Sequence, residues 1–231
     1  MTDFHTHILP MIDDGSQSID ESMKMLDMMS KGGIERAIAT PHFYADNNSV
    51  EEFLKKRNET FDNLKSNLKG NTPKILLGAE VRYYEGITAL EDLKKLCVEG
   101  TELLLLEMPF SKWSSYAVNE LIALSSGGAF TVVLAHIERY LHFLEKSLLE
   151  FLLQSGILLQ MNSSEFLKFF SKKRALSLLK KQKIHFLGSD CHNLTTRQPD
   201  LFKAYDVIEK KLSKEFLKDF ENYGNSFFVK I

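Results

Sequence analysis

The chain has 231 residues, of which 44% are hydrophobic and 26% are charged, and its formal net charge is -2. This length suits a single domain over residues 1–231, and the near-neutral charge argues against a nucleic-acid partner. No apolar run is long enough to span a bilayer and the N-terminal residues do not resemble a signal peptide, so we expect a cytoplasmic protein whose two cysteines are free thiols.

Seven short apolar or β-branched runs are predicted to form strands. In chain order they are Asp3–Ile8, Glu35–His42, Ile75–Arg82, Glu102–Phe110, Phe130–Arg139, Ile157–Ser163 and His185–His192. Continuous apolar strands that alternate with helices indicate a parallel sheet covered by helices. Seven such repeats favour closure into an α/β barrel, in which the active site lies at the C-terminal ends of the strands.

Helical periodicity fills the segments between these runs. Methionine and leucine recur at helical spacing over Ser18–Ser30, where Ser18 and Glu21 suit a capping box. Similar patterns predict helices over Val50–Leu68, Ile87–Leu96, Tyr116–Ser125, Lys146–Gln154, Phe166–Lys181 and Leu201–Lys211.

Residues with metal-ligand chemistry lie near the C-terminal ends of six of the seven predicted strands. They are His5, His7, His42, Glu80, Glu107, His136, Asp190 and His192, together with one of the adjacent pair Asp13 and Asp14. Each alone could be a buried polar residue with satisfied hydrogen bonds. Their joint position at one end of the barrel predicts a metal site instead, because buried carboxylates need a cation or a dense hydrogen-bond network.

The donor set consists of nitrogen and oxygen, which favours Mn, Fe or Zn ions. Cys191 stands between Asp190 and His192, so its side chain should point away from theirs. Four carboxylates would neutralise two divalent ions, whereas three ions would leave two positive charges for a phosphomonoester dianion. The count therefore favours three ions and a phosphohydrolase whose nucleophile is a metal-bound hydroxide.

Two arginines follow ligand-bearing strands and could bind phosphate oxygens. Arg139 lies just beyond His136, although it could instead form a surface pair with Glu138. Arg197 is the second candidate, past His192. Four aromatic residues could flank an aryl ester or could simply pack in loops: Phe43, Tyr44, Phe110 and Trp113. Two other histidines, His142 and His185, have no such placement and are not expected to be ligands.

The ordered ligand motifs resemble those of the polymerase and histidinol phosphatase (PHP) superfamily. Within it, Phe4–Gly15, Ala135–Tyr140 and Gly188–Leu194 resemble the bacterial tyrosine-protein phosphatases of capsule and exopolysaccharide operons, the CpsB/CapC type. Gln160–Ser164 also fits, and the resemblance runs from Thr2 to about Ile208.

This resemblance implies a distorted (β/α)7 barrel, three metal ions that are commonly manganese, and hydrolysis of phosphotyrosine proteins, including a bacterial tyrosine kinase. It selects Asp14 rather than Asp13 as the ninth ligand and assigns phosphate binding to Arg139. Asp190 and His192 are counted with Arg139 as catalytic residues. The segments Phe43–Asp46 and Ser111–Ser115 match the family less clearly, so substrate preference is the least secure inference.

Three alternatives stay open from the sequence. Another PHP phosphoesterase, such as histidinol phosphatase, would use the same ligand order on a different substrate. A metal-binding module without activity is the second alternative, although the complete ligand set argues against it. A metal-dependent amidohydrolase is the third, although such sites typically need a bridging lysine and none lies at a predicted strand end.

Overall fold

The computed structural model describes residues 1–228 of the chain. Its strands are β1 (Thr2–Thr6), β2 (Arg36–Ala39), β3 (His42–Phe43), β4 (Lys74–Leu77), β5 (Glu80–Arg82), β6 (Leu103–Glu107), β7 (Thr131–Leu134), β8 (Leu158–Asn162) and β9 (Phe186–Gly188). Its helices are α1 (Ile19–Lys31), α2 (Val50–Asn67), α3 (Ser115–Ser126), α4 (Lys146–Gln154), α5 (Ser164–Leu167), α6 (Lys172–Lys180), α7 (Leu201–Lys211) and α8 (Lys214–Ser226).

The strands form a parallel, distorted barrel. One sheet has the order β1-β2-β4 and the other has the order β3-β5-β6-β7-β8-β9. The ring closes between β9 and β1, where the N–H of Asp190 donates to the carbonyl of His5 (2.8 Å) and that of His7 donates to the carbonyl of Cys191 (2.9 Å). The predicted α/β barrel is confirmed, and all of its strands point their C-terminal ends toward the same mouth.

Two of the seven predicted strands are interrupted, so the prediction of continuous runs over Glu35–His42 and Ile75–Arg82 is wrong in detail. The first breaks at Thr40-Pro41, because proline has no N–H to donate to a neighbouring strand. The second breaks at Gly78, where a Cβ would lie 3.3 Å from the Val98 side chain. The breaks separate β2 from β3 and β4 from β5, and the second, shorter strand of each pair carries a candidate ligand, His42 or Glu80.

The fifth and seventh predicted strands end earlier than expected. β7 stops at Leu134 and β9 stops at Gly188, and a ligand follows each in a left-handed backbone conformation: His136 with φ 33° and Asp190 with φ 53°. Non-glycine residues rarely adopt this conformation, which costs on the order of 1–3 kcal/mol and is found mostly at functional sites. The turn directs both side chains across the barrel mouth rather than along its wall.

Two predicted helices need correction, and one helix was missed. Ile87–Leu96 forms two short 3₁₀ turns rather than an α-helix, because the Glu120 carboxylate accepts from the N–H of Gly86 and the hydroxyl of Thr88. Phe166–Lys181 is split by an extended Lys168 into α5 and α6. The last helix, α8, was not predicted at all.

At α1, the side chain of Ser18 accepts from the N–H of Glu21, as expected for a helix cap. The Glu21 side chain, however, accepts from the N–H of Gln17 and so does not complete a capping box.

Hydrophobic side chains from the strands and the inner helix faces fill the interior. Fully buried examples from different elements include Met29, Phe43, Leu106, Tyr140 and Phe166. None of the helices in residues 1–228 combines the length and the apolar composition that crossing a bilayer requires.

His185 lies at the opposite end of the barrel from the mouth, and its Nδ1 accepts a hydrogen bond from the N–H of Leu159 (3.0 Å). Burial lowers the pKa of His185 from 6.5 to about 4. As the pH falls from 6.5 to 4, His185 is therefore protonated in the unfolded chain but stays neutral in the folded chain. The free energy of unfolding should decrease over that window, by roughly 2–3 kcal/mol from this residue.

Urea unfolding of wild type and of His185→Asn at pH 7 and pH 4.5 tests this expectation. The variant keeps an acceptor for Leu159 but cannot take up a proton, so its stability should fall less with acid than that of wild type. The exposed His142→Asn is the matched control and should follow the wild-type curve. Equal acid sensitivity of all three proteins would contradict the assignment.

Candidate metal centre

The barrel mouth brings all nine candidate ligands together. Seven of them are at most 7% exposed, namely His5, His7, Glu80, Glu107, His136, Asp190 and His192. His42 is nearly buried and Asp14 lies at the rim, with 13% and 64% of their side chains exposed. Each of the nine has a donor atom within 4 Å of at least one other member.

Glu80 lies at the centre of this cluster. Its Oε2 lies 3.2 Å from Nε2 of His5, 3.3 Å from Nε2 of His7 and 3.0 Å from Nδ1 of His42, and its Oε1 lies 2.8 Å from Nε2 of His136. One carboxylate therefore contacts four imidazoles from three strands or strand ends. Burial alone would raise the pKa of Glu80, but the imidazoles of His5, His136 and His42 hold it well below its usual range.

The donor atoms fall into three overlapping groups, in each of which the atoms lie within 4.8 Å of one another. The groups are His7, Asp14, His42 and His192; His5, His7 and Asp190; and His42, Glu80 and Glu107. His136 adjoins the third group, 3.3 Å from Glu107. Because His7 and His42 each belong to two groups, the cluster has the form of neighbouring sites rather than of one.

Three histidines are oriented as metal ligands are. His5, His7 and His192 each direct Nδ1 at a hydrogen-bond acceptor and turn Nε2 toward the cluster, the orientation that histidines adopt when Nε2 binds a metal ion. The acceptors are, in that order, Oε1 of Gln160 at 3.3 Å, Oδ2 of Asp13 at 2.7 Å and the backbone oxygen of Asp190 at 3.0 Å. Nε2 atoms of His5 and His7 lie only 3.1 Å apart, as nitrogens aimed at a common centre do.

Several buried polar atoms of the cluster have no hydrogen-bond partner. They are Nδ1 of His42, Oδ1 of Asp190 and Nε2 of His192. Nδ1 of His42 approaches Glu80 without the alignment of a hydrogen bond. Unsatisfied buried polar atoms are costly, and a cation would satisfy all three. The residues present therefore fit a centre of divalent ions.

The strand β8 carries no candidate ligand, but its side chains position ligands on neighbouring strands. On β8, Oε1 of Gln160 accepts from the N–H of His136 (2.6 Å), and its Nε2 donates to Oδ1 of Asn162 (3.0 Å). Asn162 in turn donates to Oδ2 of Asp190 (2.9 Å). The sequence analysis assigned no role to these amides, although two amides at alternate positions of an apolar strand were a usable signal.

The structure distinguishes the two adjacent aspartates of the first loop. Oδ2 of Asp13 accepts from Nδ1 of His7 and from the N–H of His42, so Asp13 is committed to supporting two ligands. Oδ1 of Asp14 lies 3.3 Å from Nε2 of His42 and 3.4 Å from Nε2 of His192. The structure thus places Asp14 beside two candidate ligands and Asp13 behind them.

Two glycines allow the backbone to come close to the ligand strand β1. A Cβ at Gly15 would lie 2.3 Å from the carbonyl oxygen of His7, and one at Gly188 would lie 2.6 Å from Cβ of His5. Only glycine fits such an approach. Cys191 is fully buried next to this region, and both it and Cys97 are free thiols, as the sequence predicted.

Both candidate arginines contact the same ligand oxygen. Oδ2 of Asp190 lies 2.7 Å from Arg139 and 2.6 Å from Arg197, and about a third of each arginine side chain is exposed. The alternative of a surface pair between Arg139 and Glu138 is wrong, because Oε2 of Glu138 accepts from the N–H of Asn162 and burial raises the pKa of Glu138 to about 7.

A cavity of about 450 Å³ opens above the cluster and is lined by ligands, both arginines, Tyr44 and Phe110. Of the four aromatic candidates, these two border the cavity. Phe43 and Trp113 are instead buried and pack against Phe53 and Tyr140. Arg82, which the sequence analysis did not single out, also lines the cavity and lies 5.5 Å from the ring centre of Tyr44.

A parallel α/β barrel whose mouth holds a buried cluster of histidines and carboxylates, with two arginines beside it, defines a metallohydrolase of the PHP type. The chain belongs to the CpsB/CapC family, described as capsular polysaccharide synthesis, whose model matches residues 1–226.

Relatives of known function support this membership. The chain is 34% identical to tyrosine-protein phosphatase YwqE of Bacillus subtilis, covering 93% of this chain and 86% of YwqE. It is 32% identical to tyrosine-protein phosphatase CpsB of Streptococcus pneumoniae, covering 95% and 94%.

Solved structures show the same relationship. A chain from the crystal structures of YwqE and CpsB, described as unique metal-dependent tyrosine phosphatases, matches with a TM-score of 0.81 and 28% identity over 100% of this chain and 95% of that chain. Dihydropyrimidinase from Brevibacillus agri, at 12% identity and a TM-score of 0.52 over 94% of this chain and 68% of that one, shares the fold alone.

Proposed function

We propose that this protein is a metal-dependent protein-tyrosine phosphatase that acts in capsule or exopolysaccharide regulation. The observation that carries the proposal is the cluster of nine candidate ligands at one barrel mouth, six of which line a single cavity together with two arginines and two aromatic rings. The tyrosine-phosphatase activity named for YwqE and CpsB supports it. A single domain over residues 1–231 would carry the activity in the cytoplasm, and its partner would be a phosphotyrosine protein such as a bacterial tyrosine kinase.

We further propose that the nine residues hold three divalent ions, with Mn preferred over Fe and Zn. The three overlapping donor groups and the four carboxylates support this number. When bound, the cations would supply an activated water as nucleophile and would neutralise charge on the phosphoryl oxygens.

Asp190 contacts both the cluster of candidate ligands and the proposed phosphate site. Its Oδ1 faces His5 and His7, at 3.5 and 3.6 Å, while its Oδ2 holds Arg139 and Arg197. A phosphate group gripped by the two guanidinium groups would therefore lie directly beside the ligands. His192, between Asp14 and Asp190, completes this side of the centre.

Tyr44 and Phe110 give the cavity its preference for an aryl ester. Contacts with aromatic rings contribute about 0.5–1.5 kcal/mol each beyond the area they bury, so two such walls correspond to roughly tenfold or more in kcat/KM. We expect phosphotyrosine peptide to be hydrolysed at least about tenfold faster than phosphoserine peptide or histidinol phosphate.

Initial rates on these three substrates, measured after chelation and after reloading with Mn, Fe or Zn, test the proposal. Activity should disappear with the metal and return with it. A preference for histidinol phosphate would assign the protein to that sister activity. No turnover of any substrate with any metal, despite bound ions, would indicate a metal-binding module.

A further inference from the structure

The loop between α5 and α6, together with the first turn of α6, carries an unusual surface. It comprises residues 168–174 with the sequence KFFSKKR and is here called the aromatic-basic loop. Phe169 is 87% exposed and Phe170 is 94% exposed, the highest values among the large hydrophobic residues that the structure describes. Their rings pack only edge to face on one another, with centroids 5.3 Å apart. Single exposed apolar residues are common, but two adjacent phenylalanines held in solvent mark an interaction surface.

The exposure of these rings is built into the loop. The hydroxyl of Ser171 donates to the carbonyl of Glu165 (3.0 Å), and the N–H of Lys172 donates to the carbonyl of Lys168 (3.1 Å). Ala175 then anchors the first turn of α6 in the core. A loop held at both ends presents the two rings outward instead of letting them fold back onto the protein.

Basic residues flank the two phenylalanines in the chain. Lys168 and Arg174 share the carboxylate of Glu165, at 2.6 and 4.0 Å, and so leave a positive excess. Lys172 and Lys173 make no ion pair with any residue in the range 1–228. The surface thus combines protruding aromatic rings with unneutralised positive charge, which complements an anionic lipid interface.

The aromatic-basic loop lies at the mouth end of the barrel. It follows α5, which begins two residues after Asn162, the residue whose side chain donates to Asp190 in the metal centre. Exposed Met11 and Phe110 also belong to loops that follow C-terminal strand ends. A flat surface that met the rings of Phe169 and Phe170 would therefore face the same end of the barrel as the cavity.

We propose that the aromatic-basic loop docks the protein peripherally on an anionic lipid bilayer, with the phenylalanine rings at headgroup depth and the lysines among the lipid phosphates. A bilayer accepts protruding rings without offering a preformed pocket, which a protein partner would have to provide. The docking itself is independent of catalysis. Its consequence rests on the proposed function: it would bring the cavity close to phosphotyrosines displayed at the membrane surface.

Co-sedimentation with lipid vesicles tests the docking without reference to activity. Wild type should bind vesicles of phosphatidylcholine and phosphatidylglycerol in equal parts, should not bind phosphatidylcholine alone, and should release as salt rises. Phe169→Ala/Phe170→Ala should weaken binding roughly tenfold or more. Lys172→Glu/Lys173→Glu should weaken it by more than about 25-fold, at roughly fivefold per cation removed.

Matched controls separate this surface from general charge. Lys180→Glu/Lys181→Glu makes the same charge change at the other end of α6, and Phe151→Ala removes another exposed phenylalanine, so both should bind vesicles like wild type. Turnover of p-nitrophenyl phosphate by the double phenylalanine variant should equal that of wild type.

Several outcomes would overturn the proposal. They are equal binding to neutral and anionic vesicles, no binding by wild type, or equal losses in the two lysine variants. Loss of self-association in light scattering on Phe169→Ala/Phe170→Ala, with no vesicle binding, would assign the surface to a second copy of the chain. A fall in kcat/KM on phosphotyrosine peptide in the absence of vesicles would assign it to substrate docking.

Discussion

Glu80→Gln should release bound divalent ions and lower kcat/KM on phosphotyrosine peptide by on the order of 10³-fold. The substitution keeps the shape of the side chain but removes the one charge that lies within 3.3 Å of four imidazoles. It also replaces an oxygen that can bind a cation with an amide NH₂ group that cannot. No other carboxylate in the range 1–228 lies within 4 Å of as many histidines, so this single change should disturb more than one ion.

Elemental analysis of the purified variant, alongside steady-state kinetics, measures both effects. Glu102→Gln is the matched control, because Glu102 is an exposed carboxylate that precedes β6 and pairs only with exposed Lys94. It should retain the wild-type ion content and rate. If Glu80→Gln kept its ions and lost less than about tenfold in rate, Glu80 would be a buried polar residue and not the centre of a metal site.

The positions of the ligands could be predicted because two simple rules act together. Parallel strands place their C-terminal ends at one mouth of the barrel. An acidic residue such as Glu107, directly after four consecutive leucines, is costly to bury unless a cation or hydrogen-bond donors partner it. Alternation along a strand then places His5 and His7 on the same face. None of these inferences requires knowledge of contacts between distant parts of the chain.

The breaks in the strands could not be predicted, because they depend on such contacts. Gly78 separates β4 from β5 where its backbone comes close to Val98, Thr40 and Ile38. The left-handed conformations of His136 and Asp190 likewise follow from the surrounding barrel and not from the residue type, since neither residue is glycine. The hydrophobic pattern of a run predicts that the run is buried, but it does not predict where the backbone of that run turns.

Supporting residues were missed for a different reason. Gln160, Asn162 and Asp13 orient ligands without belonging to the ligand set, so a search for donor types passes over the amides and cannot choose between adjacent aspartates. The prediction of a helix over Ile87–Leu96 was wrong because Glu120, far away in sequence, accepts hydrogen bonds from Gly86 and Thr88 at the start of that segment. The helix α8 was missed although Phe216, Leu217 and Phe220 recur at helical spacing and pack against the core, so this helix could have been predicted from the sequence.

Arg139→Ala should lower kcat/KM by roughly two to three orders of magnitude while leaving the ion content unchanged. The ion content should survive because Oδ2 of Asp190 keeps two other donors, Arg197 at 2.6 Å and Asn162 at 2.9 Å. The rate should fall because a guanidinium can hold two phosphoryl oxygens in parallel hydrogen bonds as charge builds up during P–O cleavage.

Two further variants identify what the arginine contributes. Arg139→Lys retains the charge but not the two-pronged geometry, so it should recover only part of the loss. Arg197→Ala tests the second guanidinium on the same oxygen, and the double variant should leave Asp190 with Asn162 alone and so lose ions as well as rate. If Arg139→Ala instead kept near-normal kcat/KM while Arg197→Ala lost two orders of magnitude, phosphate binding would belong to Arg197, and Arg139 would serve only to hold Asp190. If Arg139→Ala lost its ions, the arginine would act through the ligand, because removing a direct phosphate contact cannot by itself empty the metal centre.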